Sequence, residues 1–132
     1  AAAAAGAAVT VVGVTVLTSH SAASYAAATG SSPAGIGAEA VRLAGLAKRA
    51  GLGGVVASAL EVELVRQVMG PTAAVVVPGI RRVADPSGDQ ARVAAPREAI
   101  AAGASHLVIG RPVLMAADPA AAWWEFEEET LR

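Results

Sequence analysis

Cysteine is absent from the 132 residues, so the chain can build neither a disulfide framework nor a thiolate metal site. Aromatic residues are scarce: one Phe, one Tyr and two Trp. Packing therefore falls to Ala, Val, Gly and Leu, which suits thin, tightly packed layers with buried strands. Two histidines, His20 and His106, are too few for a His-rich metal centre, and no metal ligand is assigned. The net charge of −1 leaves no broad basic face for a nucleic-acid backbone. An anion site in this chain has to be local. The sequence opens without Met or the basic residues of a secretory leader. A trimmed or partial chain in the cytoplasm is therefore expected. Residues 1–17 are almost all apolar, but β-branched residues crowd positions 9–17 and Gly13 interrupts them. A membrane helix wants about 20 apolar residues of good helix-forming type. The run reads instead as a helix end over 2–8 and a strand over 10–17, with no membrane partner.

What is present is alternation. After the first strand comes a loop rich in Ser, Ala and Gly over 19–31. Ser32 and Pro33 form a cap-and-first-turn pair, and Ile36, Ala40, Leu43 and Ala47 share one helical face that Gly51 stops. A second strand over 54–59 runs into a helix over 60–69, ended by Gly70. A third strand covers 73–77, a long polar loop 80–95, and a short helix opens at Pro96 and closes at Gly103. The fourth strand covers 106–109, and Asp118 caps a last helix. Continuous apolar strands alternating with helices predict an α/β fold of four parallel βα units in a single domain over 1–132.

Two strand ends carry chemistry. The third strand closes in Val77-Pro78-Gly79-Ile80-Arg81 and the fourth in Ile109-Gly110-Arg111-Pro112. Ligands of parallel α/β proteins bind beyond the carboxyl ends of strands. Glycine there lets a backbone N–H come close to a phosphate, and arginine adds a two-pronged donor. Taken singly, each motif is more often a turn or a solvated side chain. Taken together on neighbouring strands, Gly79, Gly110 and Arg111 predict a phosphate cradle.

The run from Val77 to Arg81, then Gly88-Asp89-Gln90, then the stretch from Pro96 to Gly103, then His106-Leu107-Val108-Ile109-Gly110-Arg111-Pro112, resembles the bacterial orotidine 5′-phosphate decarboxylase family. Val14-Thr15-Val16-Leu17-Thr18-Ser19 resembles that family's fifth strand, and Gly54-Val55-Val56-Ala57-Ser58-Ala59 its sixth. The resemblance implies half of a (β/α)8 TIM barrel, strands five to eight. It implies removal of CO2 from orotidine monophosphate to give uridine monophosphate, with no cofactor. It also implies roles: Arg111 and the Gly110 backbone on phosphate, Gln90 bridging phosphate and base, Pro78 lining the pyrimidine pocket, Thr18 hydrogen-bonding the base.

The departure is as informative as the match. The family's reaction places a carbanion beside a lysine held by aspartates, in an Asp-x-Lys-x-x-Asp motif. Here the single lysine, Lys48, lies within a helix and reads as solvated. Asp85, Asp89 and Asp118 lie in loops or at a cap, none two residues from a lysine. Such preorganised charge is the main source of catalysis. No catalytic residue is assigned, and the chain alone is expected to be inactive. A non-catalytic phosphate- or nucleotide-binding assembly and a purely structural half-barrel stay open as alternatives.

The remaining candidates have plainer readings. The acidic run Glu125, Glu127, Glu128 and Glu129 reads as a solvated face. Of Trp123 and Trp124, one should pack on the barrel and the other is available to a partner. His20 reads as a loop residue, and His106 starts the fourth strand at the far end from the cradle. Four strands of a closed barrel leave two open edges and an apolar inner face. A homodimer or larger assembly, or pairing with a separate N-terminal half, is therefore expected.

Overall fold

A computed structural model describes residues 9–30, 34–82 and 92–131. Four strands, β1 (Val12–Val14), β2 (Gly54–Val56), β3 (Ala74–Val77) and β4 (His106–Leu107), form one sheet in the order β1-β2-β3-β4. Every pairing is parallel. Each connection carries helix: α1 (Ala22–Thr29) and α2 (Ile36–Arg49) after β1, α3 (Val62–Met69) after β2, and α4 (Pro96–Ala101) after β3. The short α5 (Arg111–Leu114) and α6 (Pro119–Leu131) follow β4. The expected four βα units and parallel sheet are present.

Register explains the layering. Gly13, Val55 and Val75 align across the first three strands, as do Val14, Val56 and Val76. Side chains alternate faces along a strand, so these two rows point oppositely. Val55, Val75 and Val77 are fully buried beneath the helices, with Ala40, Ala44, Val62, Val65 and Phe126. Among the described residues no helix covers the opposite face: Val14 is 56% exposed and Val108 49%.

Small residues let the helices approach. Ala40, Ala44 and Ala47 recur along one face of α2 and are buried, whereas Ile36 and Leu43 of the expected stripe are only half-buried. A side chain at Gly13 would stand 3.0 Å from Leu52 and 3.3 Å from Ala47, so the strand also narrows where α2 crosses it.

Several expectations need correction. The strands are shorter than their apolar runs, because only the paired cores ladder. The segment read as loop contains α1, capped by a reciprocal box between Ser21 and Ser24. It was invisible as a stripe because it buries no residue. Helix α5 was likewise missed. The expected helix end over 2–8 and the Ser32–Pro33 cap lie outside the described residues; α2 begins at Ile36 behind Gly35. Neither Trp123 nor Trp124 packs on the barrel: they are 51% and 64% exposed. Ala122 and Phe126, four apart, form the buried stripe of α6, and about 100° per residue turns the tryptophans off it. Among the described residues no helix is long and apolar enough to cross a membrane.

The tightest point of the sheet is Gly54. A Cβ there would stand 2.2 Å from the Ala74 carbonyl oxygen and 2.6 Å from its Cβ. Gly54→Ala must push β2 from β3 and is expected to cost about 1–3 kcal/mol, read as a lower urea midpoint at unchanged slope.

Candidate functional site

Parallel pairing brings all four carboxyl strand ends to one rim. At the end of β3, Val77 leads into Pro78 and Gly79. Gly79 has φ 77°, a left-handed conformation that a side chain would strain. Ile80 then pairs with Ala94 in an isolated parallel bridge, and the Arg81 N–H donates to the Ala94 carbonyl at 3.0 Å. At the end of β4, the Val108 N–H donates to the Val77 carbonyl at 2.9 Å, which holds the two exits side by side. Gly110 precedes α5, with nothing within 4 Å of where its Cβ would stand. Arg111 opens α5 and is exposed. The glycine corners of adjacent strands therefore leave the sheet at one edge.

The other expected site residues divide. Thr18, beyond β1, is buried on the same rim, and Pro78 is half-buried. Gln90 lies outside the described residues. His20 is half-buried, its Nδ1 3.1 Å from Ser24 Oγ and its ring edge-on to Tyr25. Lys48 is not simply solvated, since its ammonium donates to the Val68 carbonyl at 2.6 Å and ties α2 to α3. In the acidic run, Glu125 pairs with Arg82, whose guanidinium also lies 4.7 Å over the Phe126 ring. Among the described residues no cluster of His, Cys, Asp or Glu could hold a metal.

Two rim residues escaped sequence reasoning. Arg92 Nη1 pairs with Glu61 Oε1 at 2.6 Å. Its Nη2 donates to the Val16 and Leu17 carbonyls at 3.2 and 3.0 Å. Both side chains are about nine-tenths buried, at 10% and 7% exposure. The sole sequence hint was an arginine two places after Gln90 in the polar loop.

A second polar cluster ties α1 to α2. The Tyr25 hydroxyl donates to Glu39 Oε1 at 2.7 Å, and Arg42 Nε and Nη2 donate to the two Glu39 oxygens at 2.8 Å each. The Arg42 guanidinium, then the Tyr25 hydroxyl, hold the Glu39 carboxyl down to about 2. The same carboxylate raises the Tyr25 hydroxyl above its ordinary range.

Four parallel strands, helices on one face and glycine-bearing exits on one carboxyl rim define half of a β/α barrel. The chain belongs to the orotidine 5′-phosphate decarboxylase / HUMPS family, whose model matches residues 1–126. It is 52% identical over 118 residues to an orotidine 5′-phosphate decarboxylase of Anaeromyxobacter sp. (strain K), covering 89% of this chain and 51% of that protein. It is 50% identical over 116 residues to that of Alkalilimnicola ehrlichii, covering 88% of this chain and 48% of the relative. The crystal structure of orotidine 5′-phosphate decarboxylase from Lactobacillus acidophilus superposes with a TM-score of 0.73 at 31% identity, over 93% of this chain and 50% of that one. The chain thus spans about half the length of these relatives.

The Glu39 cluster sets a pH dependence. A carboxyl that titrates near 2 when folded and near 4.5 when unfolded contributes stability fully above pH 4.5. That contribution fades as pH falls toward 2. Amide exchange in α1 should therefore quicken between those limits, and Glu39→Gln should flatten the response. Equal acid sensitivity in the variant would contradict this role.

Proposed function

We propose that this chain is the phosphate-binding half of a decarboxylase-type barrel. The carrying observation is the adjacency of the Gly79 and Gly110 exits on paired, parallel strands. In this reading the ligand is a nucleoside monophosphate. The Gly79 and Gly110 backbones and the Arg111 guanidinium grip its phosphoryl group, as a helix-opening glycine–arginine pair can. Gln90 bridges phosphate and base, Pro78 lines the base pocket and Thr18 hydrogen-bonds the base. No cofactor takes part. Family membership over residues 1–126 supports the assignment.

The chemistry of the whole relatives is not expected of these 132 residues alone. The sequence contains no Asp-x-Lys-x-x-Asp motif, and Lys48, its single lysine, is engaged between α2 and α3. With that motif absent from the sequence, the charged cluster that would stabilise and protonate a carbanion is not expected from this chain.

The sheet face that no described helix covers favours assembly. Val14 and Val108 stand about half exposed on it, and an apolar patch of this kind needs a partner. A second copy, or a chain supplying the other four strands, closes the barrel in the cytoplasm. A homodimer that binds phosphate without catalysis is the second reading, and the same face supports it.

Calorimetry with uridine monophosphate separates these readings from a purely structural one. The chain is expected to bind, and Arg111→Ala to weaken binding about tenfold or more, the worth of a charge-assisted contact. Unchanged affinity would remove Arg111 from the site. Orotidine monophosphate should lose no absorbance with this chain alone. Light scattering should show an assembly at micromolar concentration, and a stable monomer would contradict closure.

A further inference from the structure

The Glu61–Arg92 pair is buried at the rim, and the proposed phosphate and base contacts leave it without a role. Arg92 lies toward the end of the long loop, two positions beyond Gln90 in sequence, yet its guanidinium reaches back 75 and 76 residues to the Leu17 and Val16 carbonyls. Those carbonyls immediately precede Thr18. Its other arm grips Glu61, at the end of the short 3-10 turn (Ala59–Glu61) that follows β2. One cation thus joins the exits of β1 and β2 to the return of the loop after β3.

The arrangement is costly to keep. Glu61 Oε2 and Arg92 Nε are buried without a hydrogen-bond partner. A charge pair taken out of water with two polar atoms unmatched does little for stability compared with an apolar pair of similar size. Its retention is better explained by what it positions.

The geometry points to Arg92 as a positioning residue that sets the spacing between the base side of the site, at Thr18, and the phosphate side, at the glycine corners, which the Ile80–Ala94 bridge ties to the Arg92 segment. It touches no ligand itself. Strand β1 and the loop after β3 are not neighbours in the sheet, so backbone pairing does not relate them; Arg92 does. This inference rests on the nucleotide-binding reading above.

The spacing matters only for a ligand that spans both sides. Uridine monophosphate does so, whereas inorganic phosphate occupies the phosphate side alone. Arg92→Met by itself would strand the Glu61 carboxylate in a buried place, so the informative protein is Glu61→Gln/Arg92→Met, which removes both charges together. Titration calorimetry of the full chain with both probes is read beside thermal melting. The double variant is expected to melt cooperatively, to bind inorganic phosphate within about twofold of the original chain, and to lose about tenfold or more in affinity for uridine monophosphate. Parallel losses for the two probes, or none for either, overturn the positioning role and leave the nucleotide reading intact. A double variant that no longer melts cooperatively overturns it too, since the pair is then a structural one. An original chain that binds neither probe contradicts the nucleotide reading itself, and the inference falls with it.

Discussion

The parallel pairing of β3 with β4 is the constraint on which the rest of the site depends. Val76 aligns with His106 and Val77 with Leu107, and the ladder continues one step further through the Val108 N–H and the Val77 carbonyl. In parallel strands both exits fall at the same end. Each exit is followed by a glycine within three residues, and the two turns open beside each other. An antiparallel pairing of the same sequences would send Gly79 and Gly110 to opposite ends, and no shared anion site could form.

That pairing in turn relies on unusually small packing units. With a single Phe and a single Tyr, the chain fills its helix–sheet layer with valines on the strands and alanines on the helix. Ala40, Ala44 and Ala47 bring α2 down onto β1 and β2, while Phe126 anchors α6 at the far side. The helix-covered face is thereby completed within the chain. Among the described residues nothing completes the other face, and its valines carry the same apolar character outward. This asymmetry is what half of a β/α barrel must show, and it agrees with relatives about twice as long.

Much of this was legible in the residues. Gly51, Gly70 and Gly103 stop their helices with positive φ, as their positions foretold. Asp118 caps α6, its carboxylate accepting from the Ala120 and Ala121 N–H groups at 3.0 Å. These signals are local and depend on backbone geometry that few other residues can supply. What stayed hidden was non-local or lacked periodicity. Helix α1 buries nothing, so no stripe marked it, and the Trp123–Trp124 pair suggested burial that its helical phase denies. Arg92 and Glu61 are 31 residues apart and signalled nothing until the fold brought them together. Gln90 lies outside the described residues.

The proposed phosphate grip requires the two glycine corners to act as one anion site. Backbone amide resonances give the most direct reading of that claim. On titration with uridine monophosphate, the amides of Gly79, Gly110 and Arg111 are predicted to shift together along curves that fit a single dissociation constant. Shifts confined to one corner, or two corners reporting different constants, would contradict it.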